Sequence, residues 1–175
     1  MKKLRKDQSG FSLLELLIVI AITGIITAAI TMTVFQVFNM NSRTANRMAA
    51  VSQVQNAGKI VSEDILESQP EKIDADPSGG EFLILGWAAQ NGTAYAVNYT
   101  LEVVPYSDFK VLWRKHYTDS VLDSTTKVAE YIDSDPSKTS CDWDDVNKVL
   151  TFTVTATLGG QSETRVYEVE PRPGS

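Results

Sequence analysis

From Leu16 to Ser42 the chain carries no Asp, Glu, Lys or Arg. The apolar run is longer still, from Phe11 to Phe38, and is broken only by Glu15 and by neutral polar or small residues. Apolar on all sides, such a segment predicts a helix that lives in lipid or inside a bundle. About 20 residues already cross a bilayer core, so this run is long enough to span. After Asn39 the pattern changes. Met40, Met48, Val51, Val54, Val61 and Ile65 recur at helical spacing, which predicts one greasy face. No proline interrupts Asn39–Glu67, and only Gly58 weakens the pattern. Ser68-Gln69-Pro70 ends it, because the residue before a proline is pushed out of the α region. The spacing therefore predicts one helix from about Ser12 to about Ser68, on the order of 85 Å long.

Residues 71–80, EKIDADPSGG, are polar and turn-rich and read as a connector. The period then shifts to two. Phe82–Gly86, Ala94–Val104, Phe109–His116, Lys148–Leu158 and Glu163–Glu170 are strand candidates, with a weaker one at Lys127–Ile132. Alternation places Tyr95, Val97, Tyr99, Leu101 and Val103 on one face, and Leu150, Phe152, Val154, Ala156 and Leu158 on another. Leu158-Gly159-Gly160-Gln161 predicts a hairpin turn. The expected sheet is antiparallel, with four to six strands. Its apolar face and the helix stripe both need cover, and packing one on the other satisfies both. The fold class is thus α+β: a long helix whose second half packs on a small sheet, a lollipop-like arrangement. The expected divisions are 1–10, 11–38, 39–69 and 70–175.

Charge sharpens this picture. The 175 residues carry a net −6, of which residues 1–10 hold +3 through Lys2, Lys3, Arg5, Lys6 and Asp7. Everything after them is acidic, so direct nucleic-acid binding is not expected. The basic start resembles that of a secretory signal, but the apolar run is too long for one and no A-x-A-like cleavage site follows. The segment reads as a retained membrane helix, with the N-terminus in the cytoplasm by the positive-inside rule and the remainder outside. Glu15 does not suit a plain anchor. A carboxylate at the centre of a membrane helix costs roughly 2.5–3.5 kcal/mol and less near the edge, and by default it marks function. No cation lies between Glu15 and Arg43, so its partner comes from elsewhere.

Residues 5–22, RKDQSGFSLLELLIVIAI, resemble the type IV prepilin (class III) signal shared by type IV pilins and type II secretion pseudopilins. The elements are a short basic leader ending in Gly10, then Phe11, then Glu15, then an apolar helix. The resemblance implies cleavage between Gly10 and Phe11 by a prepilin peptidase, N-methylation of Phe11, and Glu15 as the assembly carboxylate. It further implies a pilus-like or pseudopilus filament as destination, with other pilin or pseudopilin subunits, an inner-membrane assembly platform and, before assembly, membrane lipid as partners. Gly24 with Thr23, Thr27, Thr31 and Thr33 suits close helix packing. Many major pilins have a proline near the position of Met32; none stands here, so no proline kink is expected. The polar helix end SEDILESQP, the strand pair VNYTLEVV and FKVLWRKHY, and the closing hairpin are similar to the J-type minor pseudopilins or W-type minor pilins, which points to a minor subunit of the filament tip.

Rival chemistry is thin. His116 is the only histidine and Cys141 the only cysteine, so no nucleophile–base–orienter set and no Cys/His zinc cluster can be assembled, and no enzyme is expected. Cys141 reads as a loop thiol. In YIDSDPSKTSCDWDD, Asp133, Asp135, Ser137 and Asp144 stand at EF-like offsets, which makes Asp133, Asp135 and Asp144 the calcium candidates. Against calcium, Lys138 fills the slot that wants glycine and Pro136 stiffens the loop, so no cofactor is expected. Trp87 and Trp113 read as core or sheet cover, and Trp143, in that loop, as cover or a subunit contact. The alternative to a filament subunit is a membrane-anchored enzyme or ligand-binding domain delivered by a prepilin-like signal.

Overall fold

The computed structural model describes residues 12–105, 107 and 109–172. One helix, α1 (Leu13–Glu67), opens the fold and matches the length read from periodicity. It contains an apolar stretch long enough to cross a membrane, of mean hydropathy 2.6 and wholly exposed. The chain divides into two compact units, Met1–Ser42 and Arg43–Ser175. Among the described residues, the first holds Ser12 and the apolar part of α1.

In the second unit α1 ends where the sequence ends it. The Ser68 hydroxyl donates to the Ile65 carbonyl at 2.7 Å, and Pro70 begins a single 3-10 turn, Pro70–Lys72. The Gln69 N–H donates to the Gly86 carbonyl at 2.9 Å and ties the helix end to the sheet. Seven strands follow: β1 (Leu83–Ala88), β2 (Ala94–Val103), β3 (Lys110–Thr118), β4 (Val121–Ile132), β5 (Ser140–Asp144), β6 (Val149–Leu158) and β7 (Gln161–Val169). All pairings are antiparallel, in the order β1-β2-β3-β4-β6-β5, with β7 also on β6. The α+β class holds, with seven strands where four to six were expected. Strand β5 lies inside the segment read as an acidic loop: Cys141 and Trp143 point toward the core while Asp142 and Asp144 face water. The first half of β4, Val121–Lys127, is exposed throughout and so lacks the alternation that marks a half-buried strand. Its entry is a two-residue turn, Asp119-Ser120, both at positive φ, while the expected Gly159-Gly160 turn has φ of 54° and 75°.

The sheet is nearly split. Strand β4 meets β6 through one residue pair, Ile132 with Ala156, beside the bond from the Asp133 N–H to the Thr155 carbonyl at 2.9 Å. Helix carboxamides serve the β4 backbone there. Gln53 Oε1 accepts from the Glu130 N–H at 2.8 Å, and Asn56 Nδ2 donates to the Val128 carbonyl at 2.5 Å. Backbone groups left unpaired in a half-buried gap are costly, so these two side chains do the work of a missing strand.

The helix stripe on the sheet is Ala50, Val54, Ala57, Gly58, Val61, Asp64 and Ile65. It faces Leu83 and Leu85, Val97 and Tyr99, Leu112, Ile132, and the β6 row of Leu150, Phe152, Val154 and Ala156. Of the expected stripe, Val54, Val61 and Ile65 are buried, but Met40 and Met48 are exposed and Val51 is only half-buried. The buried stripe keeps the helical phase of the sequence pattern but is filled by the small residues Ala50, Ala57 and Gly58, while the large ones on its edge stay outside. Close approach demands the small ones. A Cβ on Gly58 would overlap the Tyr167 ring, which stacks on Phe152 and whose hydroxyl donates to the Val54 carbonyl at 3.1 Å.

Gly58→Ala thus reverses its usual sign. Alanine favours an exposed helix interior by about 1 kcal/mol, but here it is expected to destabilise the head by about 1–3 kcal/mol through overpacking. Chemical denaturation of the detergent-solubilised chain measures this, and adding Tyr167→Ala should leave a cost smaller than the sum of the two single changes.

Candidate functional site

The N-terminal segment is built around Ser12. Its hydroxyl and carbonyl both accept from the Glu15 N–H, at 3.2 and 3.1 Å, and its carbonyl also accepts from the Leu16 N–H at 3.2 Å. Ser12 is therefore the N-cap of α1, and Glu15 stands three residues on, in the first turn. Ser-x-x-Glu is the capping-box spacing, and an acid in the first turn is favoured by the helix dipole. Local physics thus accounts in part for a carboxylate at this edge. It does not neutralise the charge: among the described residues no cation pairs with Glu15, and the next one along the chain is Arg43, about 40 Å up the helix. Gly10 and Phe11 lie outside the described residues.

Above Glu15 one helix face is a groove floored by Thr23, Gly24, Thr27, Ala28 and Thr31 and walled by Val19, Ile20, Met32 and Phe35. Each threonine satisfies its own hydroxyl by donating four residues back. Thr23 reaches the Val19 carbonyl at 2.7 Å, Thr27 the Thr23 carbonyl and Thr31 the Thr27 carbonyl at 2.8 Å, and Thr33 the Ala29 carbonyl at 2.9 Å. Hydroxyls paired in this way can enter lipid or face another helix without an unmet donor. A Cβ on Gly24 would meet nothing, so no contact within the chain calls for a glycine there.

The second unit holds a buried charge the sequence reading missed. Asp64 lies within the buried stripe of α1, 6% exposed. Arg114 of β3 grips it with two bonds, Nε to Oδ2 at 2.6 Å and Nη2 to Oδ1 at 2.8 Å. Tyr99 of β2, the direct cross-strand partner of Arg114, donates its hydroxyl to Asp64 Oδ2. Burial, with the adjacent Asp64 charge, pushes the Tyr99 phenol well above its ordinary value. The bonds to Asp64 raise the Arg114 guanidinium, which is charged at any working pH. The cluster fixes helix phase and strand register together. Two signals pointed to it: Asp64 falls on the helical phase of Ala57, Val61 and Ile65, and Arg114 falls on the inward row of its strand.

The calcium candidates do not come together. Asp133 accepts Lys138 Nζ at 2.6 Å, and Asp135 accepts the Ser137 N–H at 2.9 Å and its hydroxyl at 2.8 Å. Asp144 accepts the N–H groups of Val146 and Asn147, at 2.9 and 3.0 Å, in a different turn. Those bonds hold Asp135 and Asp144 below the usual carboxylate range. An EF-like spacing needs one continuous loop, and strand β5 carries Asp144 away from the other two. Among the described residues no three His, Cys, Asp or Glu side chains form a metal-holding group. Cys141 is no loop thiol: it lies on β5 against the core, where burial pushes the thiol up, and Trp143, on the same strand and not in a loop, covers the core as expected. Trp87 also packs on the core, while Trp113 is half-buried on β3. His116 sits beside the stacked Trp87 and Tyr95 rings, at centroid distances of 6.2 and 5.9 Å, with Nδ1 3.2 Å from Asp123 Oδ2.

Residues 5–31 match the family described as the prokaryotic N-terminal methylation motif. No curated protein and no solved structure matches the chain. The motif covers the end of the basic leader from Arg5, Gly10, Phe11, Glu15 and most of the grooved helix, and it supports a prepilin-like precursor. Motif and apolar helix together fit a single-pass inner-membrane anchor.

Asp64→Asn is expected to destabilise the head by about 3 kcal/mol, because it strands a largely buried guanidinium. The pair Asp64→Leu with Arg114→Met should cost less than the sum of the two single changes in a double-mutant cycle. Because the folded-state phenol of Tyr99 is raised, its contribution is complete below about pH 10 and is lost as pH rises through the raised value. Stability of the unmodified chain should therefore fall above about pH 10, and that of Tyr99→Phe should fall less steeply.

Proposed function

We propose that this chain is a structural, non-enzymatic subunit of a type IV pilus-like or type II secretion pseudopilus filament. Within that class we place it with the minor, J- or W-like subunits that form and prime the tip. The observation that carries the proposal is the methylation motif running directly into an apolar helix whose first turn bears Glu15 with no cation among its described neighbours. The minor assignment is supported by the polar helix end and by the absence of proline between Phe11 and Ser68.

In this reading prepilin peptidase cuts between Gly10 and Phe11 on the cytoplasmic side and methylates the new terminus. The cut removes four cations and leaves a secondary ammonium at Phe11, charged near neutral pH because α-amino groups titrate near 8. Phe11 and Glu15 are about 6 Å apart along a helix axis. A subunit that pairs its Glu15 with a neighbour's ammonium is therefore offset along the filament, and one amine and one acid per chain encode a repeating stagger. The groove at Gly24 receives the neighbouring helix. Before assembly the chain is a single-pass protein with the head outside; afterwards it is part of a periplasmic or extracellular filament. Other pilin or pseudopilin subunits and an inner-membrane platform are its partners.

Co-expression with a prepilin peptidase tests the processing step: intact mass should drop by residues 1–10 and gain one methyl group. An uncut, monomeric, ligand-binding chain would instead support an anchored domain. Glu15→Ala should still be cut but should fail to enter filaments, since an unpaired buried charge costs roughly 3–5 kcal/mol. Normal assembly by Glu15→Ala would refute the pairing.

A further inference from the structure

We propose that Arg43 and Arg47 form a clamp for the phosphates of anionic phospholipid, holding the head at the membrane surface on its own side. The inference rests on the membrane-anchored reading of α1 but not on the Glu15 pairing.

Position is the first argument. The charge-free stretch Leu16–Ser42 ends directly before Arg43. As helix it is about 40 Å long, which exceeds a hydrocarbon core of about 30 Å and matches a bilayer measured to its headgroups, about 40–45 Å. Arg43 then stands at headgroup depth, and Arg47 one turn beyond it on the same side of the helix.

Their surroundings are the second. Arg43 and Arg47 continue the sheet-facing stripe of α1 back from Ala50, seven and three residues before it, yet both are exposed. The sheet stops near Asn46, whose side chain lies against the Gly159-Gly160 turn. The two guanidinium groups therefore occupy a ledge beneath the sheet. Exposed Met48, 68% accessible, lies next to Arg47 in the chain and adds the apolar component of an interfacial segment.

Charge is the third. With +3 on residues 1–10 and −1 on Glu15, the net −6 leaves −8 on residues 43–175, a body that an anionic surface repels. Lys59, Lys115, Lys127, Lys138, Lys148, Arg114 and Arg165 are each held by a carboxylate. Among the described residues Arg43 and Arg47 are not, and neither are Lys72, Lys110 and Arg172; of these only the two arginines adjoin the charge-free stretch. Guanidinium matches phosphate in a two-pronged geometry, which suits it to a headgroup.

The test is native mass spectrometry of the full chain released from nanodiscs of phosphatidylcholine doped with phosphatidylglycerol. The unmodified chain should retain phosphatidylglycerol selectively at low salt and lose that selectivity at high salt. Arg43→Gln with Arg47→Gln should reduce it by about fivefold for each arginine removed. The leader cations are present in every variant, so the difference reads the two arginines alone, and melting of the head checks that the fold is intact. Lys72→Gln and Glu15→Ala should leave retention unchanged, so a failure of the filament reading does not register here. Equal retention by the double Gln variant overturns the proposal. So does unchanged retention accompanied by lost cross-links to a neighbouring subunit, which would assign the arginines to a protein carboxylate.

Discussion

Two carboxylates on one helix face opposite problems of charge. Asp64 is nearly inaccessible, and its charge is met inside the chain by a two-pronged guanidinium and a phenol. Glu15 is exposed at the start of an apolar, charge-free stretch, and among the described residues nothing answers it. Burying a charge is tolerable only with a partner. The first acid therefore locks the head to its own helix, while the second is left without a partner among the described residues, which is what the proposed pairing with another chain would supply. Both follow from where the chain places its cations: densely paired in the head, and absent for 27 residues above Glu15.

The rest of the architecture serves that division. A sheet that approaches α1 closely enough to require Gly58 and Ala57, and whose thinnest seam is closed by Gln53 and Asn56, makes a head whose polar groups are largely satisfied from within. In the first unit, the self-satisfied threonines and a glycine that no intrachain contact requires leave a surface that is apolar, shaped and uncovered. A membrane can cover it first and a neighbouring helix later, because both present the same apolar chemistry to it.

Much of this was legible from spacing. The ends of α1, the rows on β2 and β6 and the Gly159-Gly160 turn follow from period, proline and glycine, which are local signals. What escaped reading did so for physical reasons. The acids of CDWD concealed a short edge strand whose alternation was nevertheless present. Val121–Lys127 is solvated on both faces and so has no alternation to read. The helix stripe was judged by side-chain size, whereas close packing selected Ala50, Ala57 and Gly58. The spacing of Asp133, Asp135 and Asp144 suggested one loop until an intervening strand separated them. Asp64 and Arg114 could each be assigned an inward phase, but their meeting depends on a helix–sheet register that no local pattern encodes.

The central claim is that Glu15 is answered by the amine of a different chain. Zero-length carbodiimide coupling of assembled filaments, built with this subunit isotopically labelled and read by peptide mass spectrometry, tests it most directly. The account predicts a linked pair joining the labelled Glu15 carboxyl to an unlabelled N-terminal amine. Filaments in which Glu15 stays uncoupled, or couples only to the amine of its own labelled chain, would contradict it.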